Sequence, residues 1–202
     1  MGRPRTFNPD DALEAALTLF WRKGYDATSY TDLVSATGVE RPALYSAFGN
    51  KDALFLRALA HYDAHYADYV RDALQQGTAR AVAERFLLGA VALNTRYPDR
   101  LGCLGITGAL AASEASELAM QALIDWRARG LAALQARFEK ARDEGDLPAH
   151  EDSHALASYL LAVAHGIAVQ AKAGFSKETL EKVARQALRS WPVAPAPAKS
   201  AV

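Results

Sequence analysis

Residues 8–51 read NPDDALEAALTLFWRKGYDATSYTDLVSATGVERPALYSAFGNK, a stretch rich in helix start and stop signals. Capping residues and early prolines begin three short helices within Pro9 to Phe48, and glycines end them. The second and third helices are joined by the tight turn Thr37-Gly38-Val39-Glu40, as in a helix-turn-helix. Since an α-helix fits the major groove of DNA, the pattern favours a third helix that projects toward base edges.

The chain as a whole has no excess of positive charge, so the positions of its basic residues matter more than their number. The chain has 23 Lys and Arg against 23 Asp and Glu, and residues 1–51 contain six basic and six acidic side chains. Bulk charge therefore offers DNA no attraction, and a binding surface must be local. Arg3 and Arg5 lie in the N-terminal arm, Arg41 begins the third helix, and Lys51 begins the fourth. We expect these four side chains to form the basic part of such a surface.

The remainder of the chain continues the helical pattern. Apolar residues recur at helical spacing between capping residues and glycines. The predicted segments are Asn50 to about Gln76, Thr78–Arg96, Leu104–Ala112, Ser116–Glu144, Asp152–Gly174 and Ser176 to near Trp191. The Ala/Pro-rich end, Val193–Val202, is typical of disorder. The fold is therefore predicted to be all-α, with about nine helices.

Composition excludes several classes of protein. Half of the 202 residues are apolar and 23% are charged, as in globular domains and unlike disordered chains. The single cysteine, Cys103, excludes an internal disulfide framework and a cysteine-based zinc site, and it fits a reducing compartment. The N-terminus has no apolar stretch typical of a signal peptide, and Leu156–Ala171 is short for a membrane span. We expect a soluble cytoplasmic protein.

The motifs of common enzyme classes are missing from the sequence. It has no Gly-rich phosphate loop, no nucleophile elbow and no paired carboxylates, so we predict no enzymatic activity and no cofactor. His61 and His65 have the spacing of metal ligands on a helix. No further ligand accompanies them, so we predict no metal site.

Four motifs in a fixed order give the N-terminal part a recognisable pattern. They are A-x-x-L-F at Ala16–Phe20, G-Y-x-x-T-S at Gly24–Ser29, D-L-x-x-A-x-G-V at Asp32–Val39 and L-Y-x-x-F-x-x-K at Leu44–Lys51. Residues 2–55 thereby resemble the N-terminal domain of TetR-family transcriptional regulators. The resemblance implies a helix-turn-helix DNA-binding domain over residues 1–51. It also implies that the third helix reads the major groove and that a homodimer binds an inverted-repeat operator.

The resemblance further implies roles for single residues. Arg41, Pro42 and Ala43, at the start of the third helix, are expected to reach bases, since Arg41 has donors for guanine and Ala43 suits a thymine methyl. Leu44 and Phe48, between them and the fourth helix, are expected in the core. The expected phosphate contacts are Thr28, Tyr45, Ser46 and Lys51, and the expected minor-groove contacts are Arg3 and Arg5.

Residues 52–191 resemble the effector-binding and dimerisation domain of the same family in length and helix order, and residues 192–202 are expected to be a disordered tail. In the family, the last two long helices form a four-helix interface with a second copy. The matching apolar faces here are Leu156, Leu160, Val163 and Ile167 on one helix and Leu180, Val183, Ala187 and Leu188 on the other. An operator with two-fold symmetry also favours a dimer.

Cys103 is a candidate sensor residue. It lies in Gly102-Cys103-Leu104 at a loop-to-helix junction, where the helix dipole would stabilise a thiolate. A lone cysteine is also often a small buried apolar residue and nothing more. The triplet, with the later Gln170-Ala171-Lys172, is similar to the branch of the family that senses electrophiles, reactive chlorine species or quinones. In that branch a lysine can bond to the oxidised sulfur; Lys172 shares a helix face with His165.

A non-covalent pocket is the competing hypothesis for the effector. Arg127 interrupts an apolar stripe between Met120 and Phe138, so its charged head would point into an apolar space. Further candidate lining residues are Trp126, Tyr66, Phe86 and His165. The leading hypothesis is a repressor that releases its operator on binding a small apolar or electrophilic effector. The alternatives are a regulator that works independently of Cys103 and an interaction protein that has the fold without binding DNA.

Overall fold

The computed structural model describes residues 7–99, 101–106 and 116–192. These ranges contain nine α-helices, a helical turn at 104–106 and a short 3-10 helix at Leu188–Ser190, and no strand. The helices are α1 (Pro9–Lys23), α2 (Tyr30–Thr37), α3 (Arg41–Phe48), α4 (Lys51–His65), α5 (Asp68–Leu74), α6 (Ala79–Asn94), α7 (Glu117–Asp143), α8 (Ser153–Lys172) and α9 (Lys177–Ala187). The predicted all-α fold is confirmed.

Capping side chains fix most of the predicted helix starts. Asn8, Asn50 and Thr78 accept hydrogen bonds from backbone N–H groups in the first turns of α1, α4 and α6. Asp152 and Ser176 do the same for α8 and α9. Because each such cap contributes about 1 kcal/mol and satisfies an otherwise unpaired donor, the starts could be predicted to within one or two residues.

The fourth helix does not reach Gln76 as predicted. α4 ends at His65 and α5 begins at Asp68. At the break, the N–H groups of both Tyr66 and Ala67 donate to the carbonyl of Tyr62. The bond from Ala67 spans five residues instead of the four of an α-helix, so the regular α-helical hydrogen-bond pattern stops here. The Tyr66 ring packs edge to face on Trp21 of α1, with ring centroids 5.1 Å apart. We attribute the break to this packing, since no glycine or proline marks it in the sequence.

The chain divides into two compact units. Unit 1 comprises residues 1–68 and 97–127, and unit 2 comprises residues 69–96 and 128–202. α4 therefore belongs with α1–α3, although the predicted functional division falls at residue 51. Arg3, Arg5, residues 107–112 of a predicted helix and the predicted tail from Val193 onward lie outside the described residues.

Unit 1 is organised around α1, which packs against α2 and α4. Phe20 of α1 and Phe55 of α4 are fully buried and meet edge to face, with centroids 5.2 Å apart. Trp21 is also buried and meets the ring of Tyr62 edge to face at 4.8 Å. Its indole N–H donates to the carbonyl of Gly102 at 2.6 Å, which ties the loop before Cys103 to α1.

Unit 2 has its own core, in which α6 packs against α8 and α9. The buried residues of α8 in this core include Leu160, Ala164 and Ile167. α8 has 20 residues and is longer than the apolar stretch seen in the sequence. Among the described residues, it is the one helix that is long and apolar enough to cross a membrane, by length and composition alone. Core helices of soluble proteins meet the same criterion, so this finding carries no membrane assignment.

Candidate DNA-contacting surface and effector cluster

The turn between α2 and α3 is built by a few residues with defined tasks. Ser29 and Asp32 form a reciprocal capping box at the start of α2. Gly38 ends the helix with φ of 65°, a left-handed conformation that glycine adopts without strain. On α3, Leu44 and Phe48 are only 3% and 4% exposed, so the prediction that they are core residues is confirmed. Their burial fixes which face of α3 points outward.

The outward face of α3 consists of the residues expected to contact DNA. Arg41, Pro42, Tyr45 and Ser46 are exposed, and Ala43 is partly exposed. We refer to these five residues as the α3 surface. The structure thus brings them together on one face, as the resemblance implied, and the contacts with bases and phosphates stay predictions.

Arg41 lies against two aromatic side chains. Its guanidinium carbon lies 4.2 Å from the ring centroid of Tyr30 and 5.5 Å from that of Tyr45. The two tyrosine rings stack with centroids 5.2 Å apart. Arg41 itself stays exposed. Tyr30, the first residue of α2, was not among the residues predicted from the sequence.

Lys51 lies at the start of α4 in a mixed environment. Its ammonium is 4.1 Å from the ring centroid of Tyr25, and burial lowers the pKa of Lys51, an effect opposed by the carboxylates of Asp26 and Asp52. Asp52 accepts hydrogen bonds from the hydroxyl of Tyr25 and, at 2.8 Å, from that of Ser116. Burial and the bond to Asp52 together raise the pKa of Tyr25 to about 12, which keeps its phenol protonated. Asp52 thus joins three segments of unit 1 beside Lys51.

Thr28 does not belong to the exposed surface. The residue is fully buried, and its hydroxyl donates to the carbonyl of Gly24 at 2.7 Å. Its hydroxyl closes the turn between α1 and α2. The structure thus gives Thr28 a role in the shape of this turn, and the phosphate contact expected of it stays a prediction.

A second group of functional candidates surrounds Cys103. The sulfur accepts a hydrogen bond from the hydroxyl of Tyr62 at 3.7 Å, and the residue is partly exposed. Burial raises the pKa of the Cys103 thiol, while the Tyr62 hydroxyl, the N–H groups of Ile106 and Gly105 and the charge of Arg127 favour the thiolate. Because burial outweighs these effects, the reactivity expected from the helix dipole is not accompanied by a lowered pKa.

Trp126 and Arg127 close this group from α7. The indole N–H of Trp126 donates to Asp63 of α4 at 2.8 Å, and a guanidinium N–H of Arg127 donates to the carbonyl of Gly105 at 2.9 Å. A methyl group on Gly105 would lie 2.5 Å from the Trp126 ring, so only glycine fits beneath the indole. The Cys103 cluster, as we define it, consists of Trp21, Tyr62, Cys103, Trp126 and Arg127.

Tyr66 and the two histidines of α4 form a polar group at the edge of unit 1. Glu14 of α1 accepts a hydrogen bond from the Tyr66 hydroxyl and contacts His61 Nε2 at 2.9 Å. Burial, followed by the bond to Glu14, raises the pKa of Tyr66. The rings of His61 and His65 are 4.3 Å apart. Among the residues that the structure describes, no group of three or more His, Cys, Asp or Glu side chains is arranged for a metal ion.

The remaining effector candidates belong to unit 2. Phe86 is 3% exposed and packs against Tyr69 within the core, so it has a structural role there. His165 is partly exposed and Lys172 is exposed, both on α8. The roles of Tyr62, Trp21 and Gly105 were not predicted from the sequence, because they depend on contacts between distant segments. The spacing of Tyr62 and Tyr66 by one helical turn was the available signal for an aromatic face on α4.

Comparisons with known proteins point to one family. Residues 12–58 match the model of the bacterial regulatory proteins of the tetR family. The HTH-type transcriptional repressor ComR of Escherichia coli strain K12 is 34% identical over 194 residues, which cover 95% of this chain and 92% of ComR. The repressor BdcR of the same strain is 38% identical over 104 residues, 52% of either chain.

A solved structure matches almost the whole fold. It is a cysteine mutant of the TetR family transcriptional regulator CifR in complex with a 26-base-pair double-strand operator DNA. CifR is 38% identical to this chain, the match covers 95% of this chain and 100% of CifR, and the TM-score is 0.88. At this identity and coverage the similarity extends well beyond the helix-turn-helix.

Proposed function

The chain belongs to the TetR family of bacterial transcriptional regulators, and on this premise we propose that it is a repressor that binds an inverted-repeat operator as a homodimer. The carrying observation is the α3 surface. Burial of Leu44 and Phe48 turns Arg41, Pro42, Ala43, Tyr45 and Ser46 outward together. An exposed helix face with a guanidinium at its start is suited to the major groove.

Each part of this surface has a distinct proposed task. Arg41 donates to a guanine edge, and Pro42 and Ala43 make apolar contact with neighbouring bases. Tyr45, Ser46 and Lys51 contact phosphates, and Lys51 adds its charge at the positive end of α4. Arg3 and Arg5 enter the adjacent minor groove, as basic arms do in other DNA-binding proteins.

Dimerisation is proposed to use α8 and α9. Tyr159 of α8 is 40% exposed, and it lines an open groove together with Val163, Val183 and Ala187. Polar residues complete the lining, namely Thr179, Lys182, Gln186 and Ser190. A groove between two helices that combines apolar and polar residues suits burial against a second copy. We expect the purified protein to have twice the chain mass of 21.8 kDa at micromolar concentration in solution.

A matched pair of variants tests the interface. Tyr159→Arg is expected to yield monomers that lose operator affinity, measured by sedimentation and by gel shift. Ile124→Arg, at a residue of similar exposure (43%) on α7, is the control and is expected to stay dimeric. A monomeric parent protein that binds one half-site tightly would contradict the dimer.

The primary experiment is binding of the full chain to DNA upstream of its own gene. We expect a specific complex whose affinity falls steeply with salt and whose footprint is symmetric. An unrelated fragment of the same length is the control. Equal affinity for both fragments, or no binding, would leave the alternative of an interaction protein that has kept only the fold. We further propose a cytoplasmic location and no enzymatic activity, as in a regulator of this kind.

We propose that the effector acts at the Cys103 cluster. Three of its members, Trp21, Tyr62 and Trp126, are aromatic, and Arg127 supplies a charge; such a mixture suits a small apolar or electrophilic molecule with a polar group. The raised pKa of Cys103 means that little thiolate is present at neutral pH. It therefore favours a non-covalent effector in the resting protein, and a reactive electrophile as the second candidate.

Release of the operator separates these two candidates. N-ethylmaleimide or hypochlorite is added to the operator complex of the parent and of Cys103→Ser. For an electrophile sensor, release occurs in the parent and not in the variant. Release by neither reagent leaves a non-covalent effector beside Trp126 and Arg127, to be found by screening small aromatic compounds for release. Tyr66, which belongs to the same unit as Cys103, is tested as a lining residue by the same assay.

A further inference from the structure

Tyr30 of α2 lies directly beneath the guanidinium of Arg41. The guanidinium carbon of Arg41 lies over the Tyr30 ring, 4.2 Å from its centroid. Tyr45 stacks on Tyr30 with the two ring planes 20° apart, and its hydroxyl lies 3.5 Å from Arg41 Nη2, the long limit of a hydrogen bond. Two aromatic rings from α2 and α3 therefore restrict the arginine while it stays exposed.

Tyr30 is itself fixed from a third helix. Its hydroxyl accepts a hydrogen bond from the backbone N–H of Lys51 at 2.9 Å. This N–H is in the first turn of α4, where no intrahelical acceptor exists, so Tyr30 satisfies it. Burial and donation to the Tyr45 hydroxyl raise the pKa of Tyr30, and the same bond lowers the pKa of Tyr45. The Tyr30 ring thus has a defined place relative to α2, α3 and α4.

An arginine ordered before binding loses less conformational freedom when it meets a base. Arg side chains have many rotamers, and ordering them on binding weakens affinity. A ring under the guanidinium covers one of its faces and leaves the N–H groups at its edge, the groups that pair with guanine. The Tyr30 ring is therefore well placed to support recognition without touching DNA itself.

We propose that Tyr30 is a positioning residue for sequence recognition: it orders Arg41 and so sets the base preference at one step of each half-site. The proposal rests on the proposed function, in which α3 reads the operator. Its distinctive consequence is that discrimination between bases falls by a larger factor than binding to random DNA, which depends on the phosphate contacts of Tyr45 and Lys51. A residue needed only for folding would weaken both kinds of binding together.

The test measures base preference by selection from a randomised operator library, followed by affinities for the preferred and the substituted site. Tyr30→Leu removes the ring, and we expect about threefold less discrimination per half-site, about tenfold for a dimer. Tyr30→Phe keeps the ring and is the matched control, expected to stay closer to the parent than Tyr30→Leu. Equal losses in both variants would overturn the proposal, since the ring would then not hold Arg41.

A double-mutant cycle tests whether Tyr30 acts through Arg41. Arg41→Ala is expected to abolish preference at the same base step, and Tyr30→Leu added to it is expected to change preference no further. Additive losses would overturn the proposal. Failure of the proposed function looks different: the parent itself then shows no preferred site. If Tyr30→Leu does not fold, Tyr30→Phe is compared with the parent at the base step that Arg41 contacts. We expect the base preference of Tyr30→Phe to be nearly that of the parent. A loss of preference as large as that of Arg41→Ala would contradict the role of the ring.

Discussion

The α3 surface and the Cys103 cluster belong to the same compact unit, but they are built in opposite ways. The α3 surface is one exposed turn of helix, and its residues are neighbours in the sequence. The Cys103 cluster draws Trp21, Tyr62, Cys103 and Trp126 from four separate segments, and Trp21 and Tyr62 are almost fully buried. One region offers its side chains to another molecule, whereas the other holds most of its side chains in contacts within the chain.

Substitutions should therefore have different effects in the two regions. On an exposed helix face, removing a side chain leaves the folding free energy nearly unchanged and acts on binding. In a buried aromatic cluster, the same change creates a cavity or a steric conflict and acts first on stability. The two regions can therefore be told apart by measuring unfolding and DNA affinity on the same variants.

The largest effect is expected from Trp21→Ala. Because Trp21 is 1% exposed and donates to the Gly102 carbonyl, its loss should lower the free energy of unfolding by about 3–5 kcal/mol, measured by urea denaturation. Tyr45→Ala, the matched aromatic truncation on the α3 surface, should cost about 0.5 kcal/mol or less and weaken DNA binding instead. Similar losses of stability in the two variants would show that the α3 surface and the Cys103 cluster do not differ in this way.

Gly105→Ala is expected to have the next largest effect. The added methyl group would lie 2.5 Å from the Trp126 ring, which must move and strain its bond to Asp63. We expect the free energy of unfolding to fall by about 1–3 kcal/mol and the tryptophan fluorescence of the protein, to which Trp126 contributes, to change. Gly130→Ala on α7, where a methyl group meets nothing within 4 Å, is the control and should be neutral or slightly stabilising. Unchanged stability of Gly105→Ala would mean that the cluster is loosely packed.

Lys51→Ala tests the electrostatic part of the DNA-binding unit. Each subunit should lose one phosphate contact. The slope of log affinity against log salt concentration should therefore become less negative by about 1.8 for a dimer, on specific and random DNA alike. Lys140→Ala, at an exposed lysine of unit 2 paired with Glu144, is the control. An unchanged salt slope would show that the ammonium stays over the Tyr25 ring in the complex.

The smallest effect is expected from Tyr62→Phe, through the pKa of Cys103. Since burial already raises this pKa, alkylation by N-ethylmaleimide should be slow at pH 7 and rise about tenfold per pH unit until the thiol ionises. Without the Tyr62 hydroxyl the pKa rises further, and the rate at a fixed pH should fall about threefold. Mass spectrometry of the intact protein reports this directly, because Cys103 is the only cysteine. A faster reaction would mean that the ring shields the sulfur and that the hydroxyl has little influence.

Sequence reasoning succeeded where structure is set locally. Caps such as Asn8 and Asp152 and the left-handed Gly38 act within four residues, so the helix order and most helix starts could be predicted. The outward face of α3 was expected from the family resemblance, and the burial of Leu44 and Phe48 agrees with it. The burial of Thr28 could not be predicted in this way, because the motif does not show that its hydroxyl bonds to the carbonyl of Gly24.

The interior of the Cys103 cluster could not be predicted from the sequence. The partners of Cys103 and Gly105 lie at Tyr62 and Trp126, and only the folded chain brings these segments together. The break at Tyr66 has the same origin, since packing on Trp21 overrides the helical propensity of the segment. The pKa of Cys103 depends on a balance between burial and three kinds of donor, which no spacing rule contains.

The hydrogen bond that the Ser116 hydroxyl donates to Asp52 bears on how strongly an effector can be coupled to operator binding. Ser116 stands immediately before α7, and Asp52 is next to Lys51 at the start of α4. A rearrangement that draws Ser116 away forfeits a charge-assisted hydrogen bond of about 1.5–3 kcal/mol, equivalent to roughly a ten- to 150-fold change in an equilibrium constant. By thermodynamic linkage, such a penalty acts equally on the binding of the effector and on the binding of the operator. An effector that weakens operator binding through this contact must itself bind the operator complex more weakly, by the same factor.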